Sequence, residues 1–175
     1  MCLWFIGFSI AIAAYITQQA FVAERSLVRA IKIALTITKS GRPNDAYWDS
    51  AKEEMHTLLG YGIAINPHYR KLTPMAADEM ASWGDWEGAI WIWESVLASR
   101  PNVVAIIANI SRGYLQIGNY QQAMYYLANA AKLQPNAPVV QSMQVILLTR
   151  LERYTEASAI IKTAFKKGNV DYDLV

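Results

Sequence analysis

Few side chains in this sequence could act on a substrate, and they are scattered. His56 and His68 stand apart, and neither lies in a metal-ligand spacing such as H-E-x-x-H. His68, within Asn66-Pro-His-Tyr-Arg-Lys71, sits beside a turn and two bases, a setting that suits a cap or a surface residue as well as a proton carrier. The acidic pairs Glu53-Glu54 and Asp78-Glu79 are chain neighbours, which on a helix point in different directions and cannot share a proton. There is no G-x-S-x-G, no phosphate-cradling glycine loop and no Cys–His pairing, and the single cysteine, Cys2, cannot close an internal disulfide. The residues point to no catalytic role, no cofactor and no metal. What remains is recognition chemistry: Asp78, Asn109, Arg112, Gln116, Ser142, Met143 and Arg150. Asn109 can hold a peptide backbone, and Arg112 or Arg150 a carboxylate. As ordinary helix residues they would be a turn-capping Asn and two solvated Arg.

The elements that must position these residues follow from an internal repeat. Gly118–Pro135, GNYQQAMYYLANAAKLQP, laid back 34 residues falls on Gly84–Pro101, GDWEGAIWIWESVLASRP. Gly84/Gly118, Trp86/Tyr120, Ala89/Ala123, Trp93/Leu127, Val96/Ala130 and Pro101/Pro135 coincide. A weaker third copy keeps Tyr154, Ala157, Ile161 and Ala164. A fixed period of this length marks stacked supersecondary units. The glycine ends one helix, where positive φ is needed, and the aromatic two places on starts the next. Ala123, Leu127 and Ala130 recur at steps of four and three, so they share one helix face, and Pro135 stops the helix. One such hairpin cannot bury its apolar face alone, so neighbours must stack.

The spacing G-x-Y-x-x-A-x-x-x-(large)-x-x-A-x-x-x-x-P resembles the tetratricopeptide repeat. The resemblance implies an all-α, short right-handed solenoid of about three hairpins. Its first helices would line a concave groove for extended peptides or partner segments, which is where the seven recognition residues are placed. The expected hairpins are 70–102, 103–137 and 138–169. The expected helices are Thr73–Trp83, Trp86–Ser99, Val103–Ile117, Tyr120–Leu133, Pro138–Leu151 and Tyr154–Lys167. Trp86 and Trp93 fit the core, whereas Trp91 and Tyr125, 34 apart, fall off the core face.

At 175 residues the chain is one domain with an appendage, and a net charge of +2 argues against nucleic acid. Apolar residues make up 54%, concentrated in the repeats and at the N-terminus. Met1–Ala23 carries no charge, and Cys2–Ile16 is strongly apolar before Thr17, Gln18 and Gln19 weaken it. Trp4 and Tyr15 would suit membrane interfaces. The segment reads as a transmembrane helix; a cleaved signal peptide and a helix buried in the chain's own core are the alternatives. Arg25, Arg29, Lys32, Lys39 and Arg42 follow, over Leu27, Ile31, Leu35 and Ile37. By the positive-inside tendency they face the cytoplasm; as the solvated face of an amphipathic helix they carry no topology. The organisation is then 1–23 transmembrane helix, 24–43 basic amphipathic helix, 44–69 degenerate leading helix and 70–171 repeats. In the leading unit Asn44-Asp45 caps a helix from Ala46 to about Ile65, and Met55 and Leu59 match the repeat.

The run Gly62–Pro101, GIAINPHYRKLTPMAADEMASWGDWEGAIWIWESVLASRP, resembles the C-terminal region of bacterial O-antigen ligase/polymerase-like membrane glycosyltransferases, the O-linked protein oligosaccharyltransferases among them. That resemblance implies a detached accessory region without the family's membrane core, so no catalytic residue carries over. It implies a non-catalytic, membrane-anchored interaction module at the bacterial inner membrane, with the repeats in the periplasm. Its partner would be a protein or a membrane-embedded glycosyltransferase core acting in glycan transfer. The competing expectation is a soluble helical scaffold that binds a peptide or partner protein, with residues 1–23 buried in its own core.

Overall fold

A computed structural model describes residues 2–67 and 72–166, with side chains from residue 7 onward. Every regular element among them is helical. The α-helices are α1 (Cys2–Lys39), α2 (Asp49–Ile65), α3 (Leu72–Ser82), α4 (Trp86–Ser99), α5 (Val104–Gln116), α6 (Tyr120–Leu133), α7 (Pro138–Arg150) and α8 (Tyr154–Lys166). A short 3-10 turn, Ala46–Trp48, precedes α2, and Asp45 caps it by accepting from the Tyr47 N–H at 2.9 Å. The chain forms two compact units, Met1–Trp83 and Gly84–Val175. His68 and Arg70 of the Asn-Pro-His turn, Lys167, and the side chain of Trp4 lie outside the described residues.

In the first unit the two expected N-terminal segments are one uninterrupted helix. No proline or glycine falls between residues 8 and 40 to break it. Its C-terminal half buries Ala23, Leu27, Ala30, Ile31, Ala34 and Ile37, a stripe at steps of three and four that faces α2 and α3. Gly62 of α2 permits the approach: a methyl there would come 2.7 Å from Leu27 Cγ and Cδ2. Polar ties close the far end. The Thr38 hydroxyl donates to the Glu79 carboxylate and accepts from the Trp83 indole N–H at 2.7 Å, and Lys52 Nζ lies 5.7 Å from the Trp83 ring centroid.

Two expectations for the N-terminus are corrected. Among the described residues no helix is long and apolar enough to cross a membrane, which overturns the inner-membrane placement. Thr17, Gln18 and Gln19 dilute the segment, and Glu24 and Arg25 arrive a turn later. Nor is this stretch buried in the chain's own core. Phe8, Ile10, Tyr15, Ile16 and Phe21 are each more than half exposed, and burial begins at Ala23.

In the second unit the 34-residue register is visible as burial. Ala89, Ala123 and Ala157 are all buried, as are Val96, Ala130 and Ala164. Trp93 and Leu127 fill the large position between them. The leading unit keeps the same register with Met55, Leu59 and Gly62, all buried. Gly84 and Gly118 adopt φ of +83° and +77°. Each is followed by a capping side chain: Asp85 accepts from the Gly88 N–H at 3.0 Å, and Asn119 from the Gln122 N–H at 3.1 Å. The third copy loses both devices. Glu152 takes the glycine's place at φ +59°, and Arg153 stands where the cap should be, in a bidentate pair with Glu156 at 2.7 Å.

Two substitutions test this reading by chemical denaturation. Gly62→Ala forces Leu27 aside; overpacking of about 1–3 kcal/mol outweighs the helix gain of about 0.5–1 kcal/mol, for a net loss of about 1 kcal/mol. In a Leu27→Ala background the new methyl enters vacated space, so the double-mutant cycle shows strong positive coupling. Glu152→Gly relieves a left-handed residue that costs about 1–2 kcal/mol and should gain about 0.5–1 kcal/mol.

Candidate partner-binding surface

Helix α5 is enclosed on most sides. It packs against α4, α6 and α7, and Val104, Ile106, Ile107, Ala108, Ile110, Ser111, Gly113 and Leu115 are buried. Two close approaches set this enclosure. A methyl on Gly113 would come 2.6 Å from Ile90 Cγ1, and the buried Ser111 hydroxyl donates to the Ala123 carbonyl at 2.8 Å. Apart from Tyr114, what α5 leaves uncovered is one stripe: Ala105, Asn109, Arg112 and Gln116, at steps of four, three and four. Asn109 and Arg112 are half-buried; Ala105 and Gln116 are exposed.

Arg112 is the most structured of these. Its guanidinium carbon lies 6.0 Å from the Trp86 ring centroid, and its Nε is buried without a hydrogen-bond partner in the described residues. This cation–π contact with Trp86 limits the side chain's freedom before any ligand arrives. On α7 the positions 34 residues further on are Val139, Met143, Ile146 and Arg150. Val139 and Ile146 are half-buried, and Arg150 is exposed at the helix end. This second row is apolar where the first is polar.

The seven residues singled out from sequence therefore divide. Asn109, Arg112 and Gln116 share the α5 stripe, and Arg150 holds the corresponding place on α7. Met143 belongs to the core cluster with Ile107, Leu127 and Val140, and Ser142 is 4% exposed with its hydroxyl unpartnered. Neither offers surface to a ligand, because α7 turns both toward the rest of the unit. Asp78 is exposed on α3, in the first unit. Ile146, which completes the row, has no signal of its own beyond its spacing of 34 from Arg112.

The second unit also holds a polar cluster that the sequence reading missed. Tyr114 of α5 and Tyr126 of α6 both donate to Glu94 Oε1 at 2.9 Å, and their rings stack at 5.6 Å with planes 13° apart. Glu94 is the one acidic residue of α4 beyond its first turn, which is the signal that could have found it. Burial, then the hydrogen bond to Glu94, then the carboxylate's charge push Tyr114 up to about 12. The same causes, in the same order, push Tyr126 higher still. Beside Tyr126 a cleft of about 390 Å³ opens between Leu97, Ile107, Asn129 and Leu133. Trp91 and Tyr125, expected off the core face, are 41% and 59% exposed.

No family model matches the chain, and no curated protein matches it. Solved structures of MamA, a tetratricopeptide-like helical protein, do. A MamA point mutant aligns with a TM-score of 0.56 at 18% identity, covering 96% of this chain and 92% of that one. MamA of AMB-1 aligns at 0.53 and 15% identity, covering 90% and 96%. MamA of MSR-1 aligns at 0.52 and 15% identity, covering 85% and 95%. At these identities the likeness is one of fold: every regular element of the described residues is helical, and the helices are arranged as in these tetratricopeptide-like neighbours. The ligase resemblance, with its glycan-transfer role and its membrane-embedded partner, gains no support from these comparisons.

The tyrosine pair yields a pH dependence. Both hydroxyls hold their protons to higher pH in the folded chain than the ordinary value of 10.0. The folded state therefore binds more protons in that window, and the stability it gains below pH about 10 is lost as pH rises through about 12. Urea unfolding of the full chain at pH 9 and pH 11 should show this fall, and Tyr114→Phe/Tyr126→Phe should flatten it.

Proposed function

We propose that this chain is a non-catalytic protein-interaction scaffold whose second unit holds an extended segment of a partner protein along α5 and α7. The observation that carries this is the stripe Asn109–Arg112–Gln116, the uncovered face of an otherwise enclosed helix. Two side-chain amides one helical turn to either side of a guanidinium held over Trp86 suit a peptide backbone and a carboxylate. The apolar neighbours Val139 and Ile146 suit an aliphatic side chain on the same segment. The tetratricopeptide-like fold supports the reading, since arrays of paired helices offer their first helices to ligands of this kind. The partner chemistry that follows is an extended peptide with an acidic residue close to an apolar one.

Selection from a displayed random-peptide library on the full chain tests this. Selected peptides should be enriched in an Asp or Glu flanked by aliphatic residues, and they should shift the backbone resonances of α5 and α7. Arg112→Gln should weaken binding about tenfold or more, since a charge-assisted contact is worth about 1.5–3 kcal/mol. Arg150→Gln should weaken it less than about fivefold, because an exposed pair contributes up to about 1 kcal/mol. Peptides whose binding is indifferent to Arg112→Gln, or which perturb α8 alone, would sink the proposal.

A further inference from the structure

The stripe of α1 that packs on α2 and α3 does not end where those helices do. Ile37, Ala34, Ala30, Leu27 and Ala23 step back along the helix by three and four, and all are buried. The same steps continue through Gln19, Ile16, Ile12 and Phe8. Here the cover is gone: Ile16 is 60% exposed, Ile12 44% and Phe8 68%, with Tyr15 beside them at 63%. Helix α2 runs out at Ile65 and Asn66, which border an open cleft with Tyr15, Ile16, Gln19 and Ala20. More than two further turns of the same apolar face project past it. Four large apolar side chains exposed side by side differ from the singly scattered hydrophobics of an ordinary surface.

We propose that a second copy of this chain covers it, the two α1 helices packing antiparallel about a two-fold axis near Ile12. Two observations favour a second copy, and a third sets its orientation. Met1–Ala23 carries no charge, so the face has nothing with which to select a charged segment, but it is complementary to itself, as a two-fold interface must be. An aromatic buries about 150–250 Å² in full; Phe8 and Tyr15 are 68% and 63% exposed, so on two copies they add about 400–650 Å², and Ile12 and Ile16 extend this toward the roughly 1,000 Å² of a specific interface. The orientation follows from charge. Arg25, Arg29 and Lys32 follow within the next turns, and Arg25 is held over the Phe21 ring at 5.5 Å. Antiparallel packing puts the two basic clusters at opposite ends, whereas parallel packing would set them side by side.

Sedimentation equilibrium of the full chain at micromolar concentration should give twice 19.6 kDa. Ile12→Asp/Ile16→Asp should give a monomer with unchanged helical circular dichroism, since both residues are exposed, and a melting temperature that no longer rises with protein concentration. Ile10→Asp, on the opposite side of the helix, should remain a dimer. With Cys2→Ser removing the native thiol, Ile12→Cys should cross-link to itself on oxidation. A monomeric wild-type chain overturns the proposal, as does a dimer that survives Ile12→Asp/Ile16→Asp or one that Ile10→Asp abolishes. A chain that stays monomeric while co-sedimenting with phosphatidylcholine vesicles overturns it too.

Discussion

Close helix-to-helix approach at small residues is the constraint on which the rest depends. The Ile90 side chain stands where a side chain of Gly113 would, so α4 packs its side chains directly on the α5 backbone. The short Ser111 side chain reaches the Ala123 carbonyl directly, which holds α5 close to the backbone of α6. Dispersion between such surfaces is small per contact and large in sum, and it rises steeply with proximity. Once α5 is held that closely on two sides and contacts α7 on a third, few directions remain for its polar residues. Asn109, Arg112 and Gln116 are on the surface because every other face has been taken. In the first unit Gly62 and Leu27 repeat the device, a glycine on α2 receiving a leucine from α1.

Stability is spread unevenly along the second unit. Its middle is tied by the apolar cluster from Val104 to Leu147 and by one carboxylate, Glu94, that accepts from two tyrosines on two different helices. Its C-terminal hairpin lacks the positive-φ glycine and the N-cap, and α8 buries only Ala157 and Ala164. An exposed ion pair such as Arg153–Glu156 adds little in their place. Segments with few buried contacts open locally well before the whole fold does. The proposed recognition stripe on α5 therefore sits in the most constrained part of the unit, and the adaptable part lies one hairpin further on.

How much of this the sequence showed depended on whether a residue spoke through period or through geometry. The 34-residue step gave the α4 and α6 boundaries, the buried alanines and the turn glycines, because each of those roles needs one residue type at one place. It also placed Asn109, Arg112 and Gln116 on one face. It misplaced Ser142 and Met143, since period alone does not say how far α7 is turned toward the core. Glu152 was invisible for the opposite reason: the backbone requirement persists in the third copy although the residue that signals it has gone. Glu94 joins residues 20 and 32 positions away, and no local pattern carries that. At the N-terminus, absence of charge points to a membrane segment. Thr17–Gln19 and the unbroken continuation of the Ala23–Ile37 stripe instead make the segment an extension of a packed helix.

The two rows of the proposed surface differ in a way that bears on selectivity. A binding face made only of Asn, Gln and Arg would hold any extended backbone near an acid, and one made only of Val and Ile would hold any apolar segment. Here the 34-residue step sets Arg112 against Ile146 and Gln116 against Arg150, so equivalent positions on neighbouring helices ask for different side chains. An extended segment presents successive side chains to opposite faces, so a ligand crossing from α5 to α7 must match a polar row and then an apolar one in a fixed register. Discrimination then rests on leaving Arg112 unpaired when the wrong residue arrives, a penalty sharpened by its buried Nε. Because Trp86 already orders that side chain, little of the binding energy is spent on freezing it. A short surface with modest charge can on these terms be selective without being strongly electrostatic.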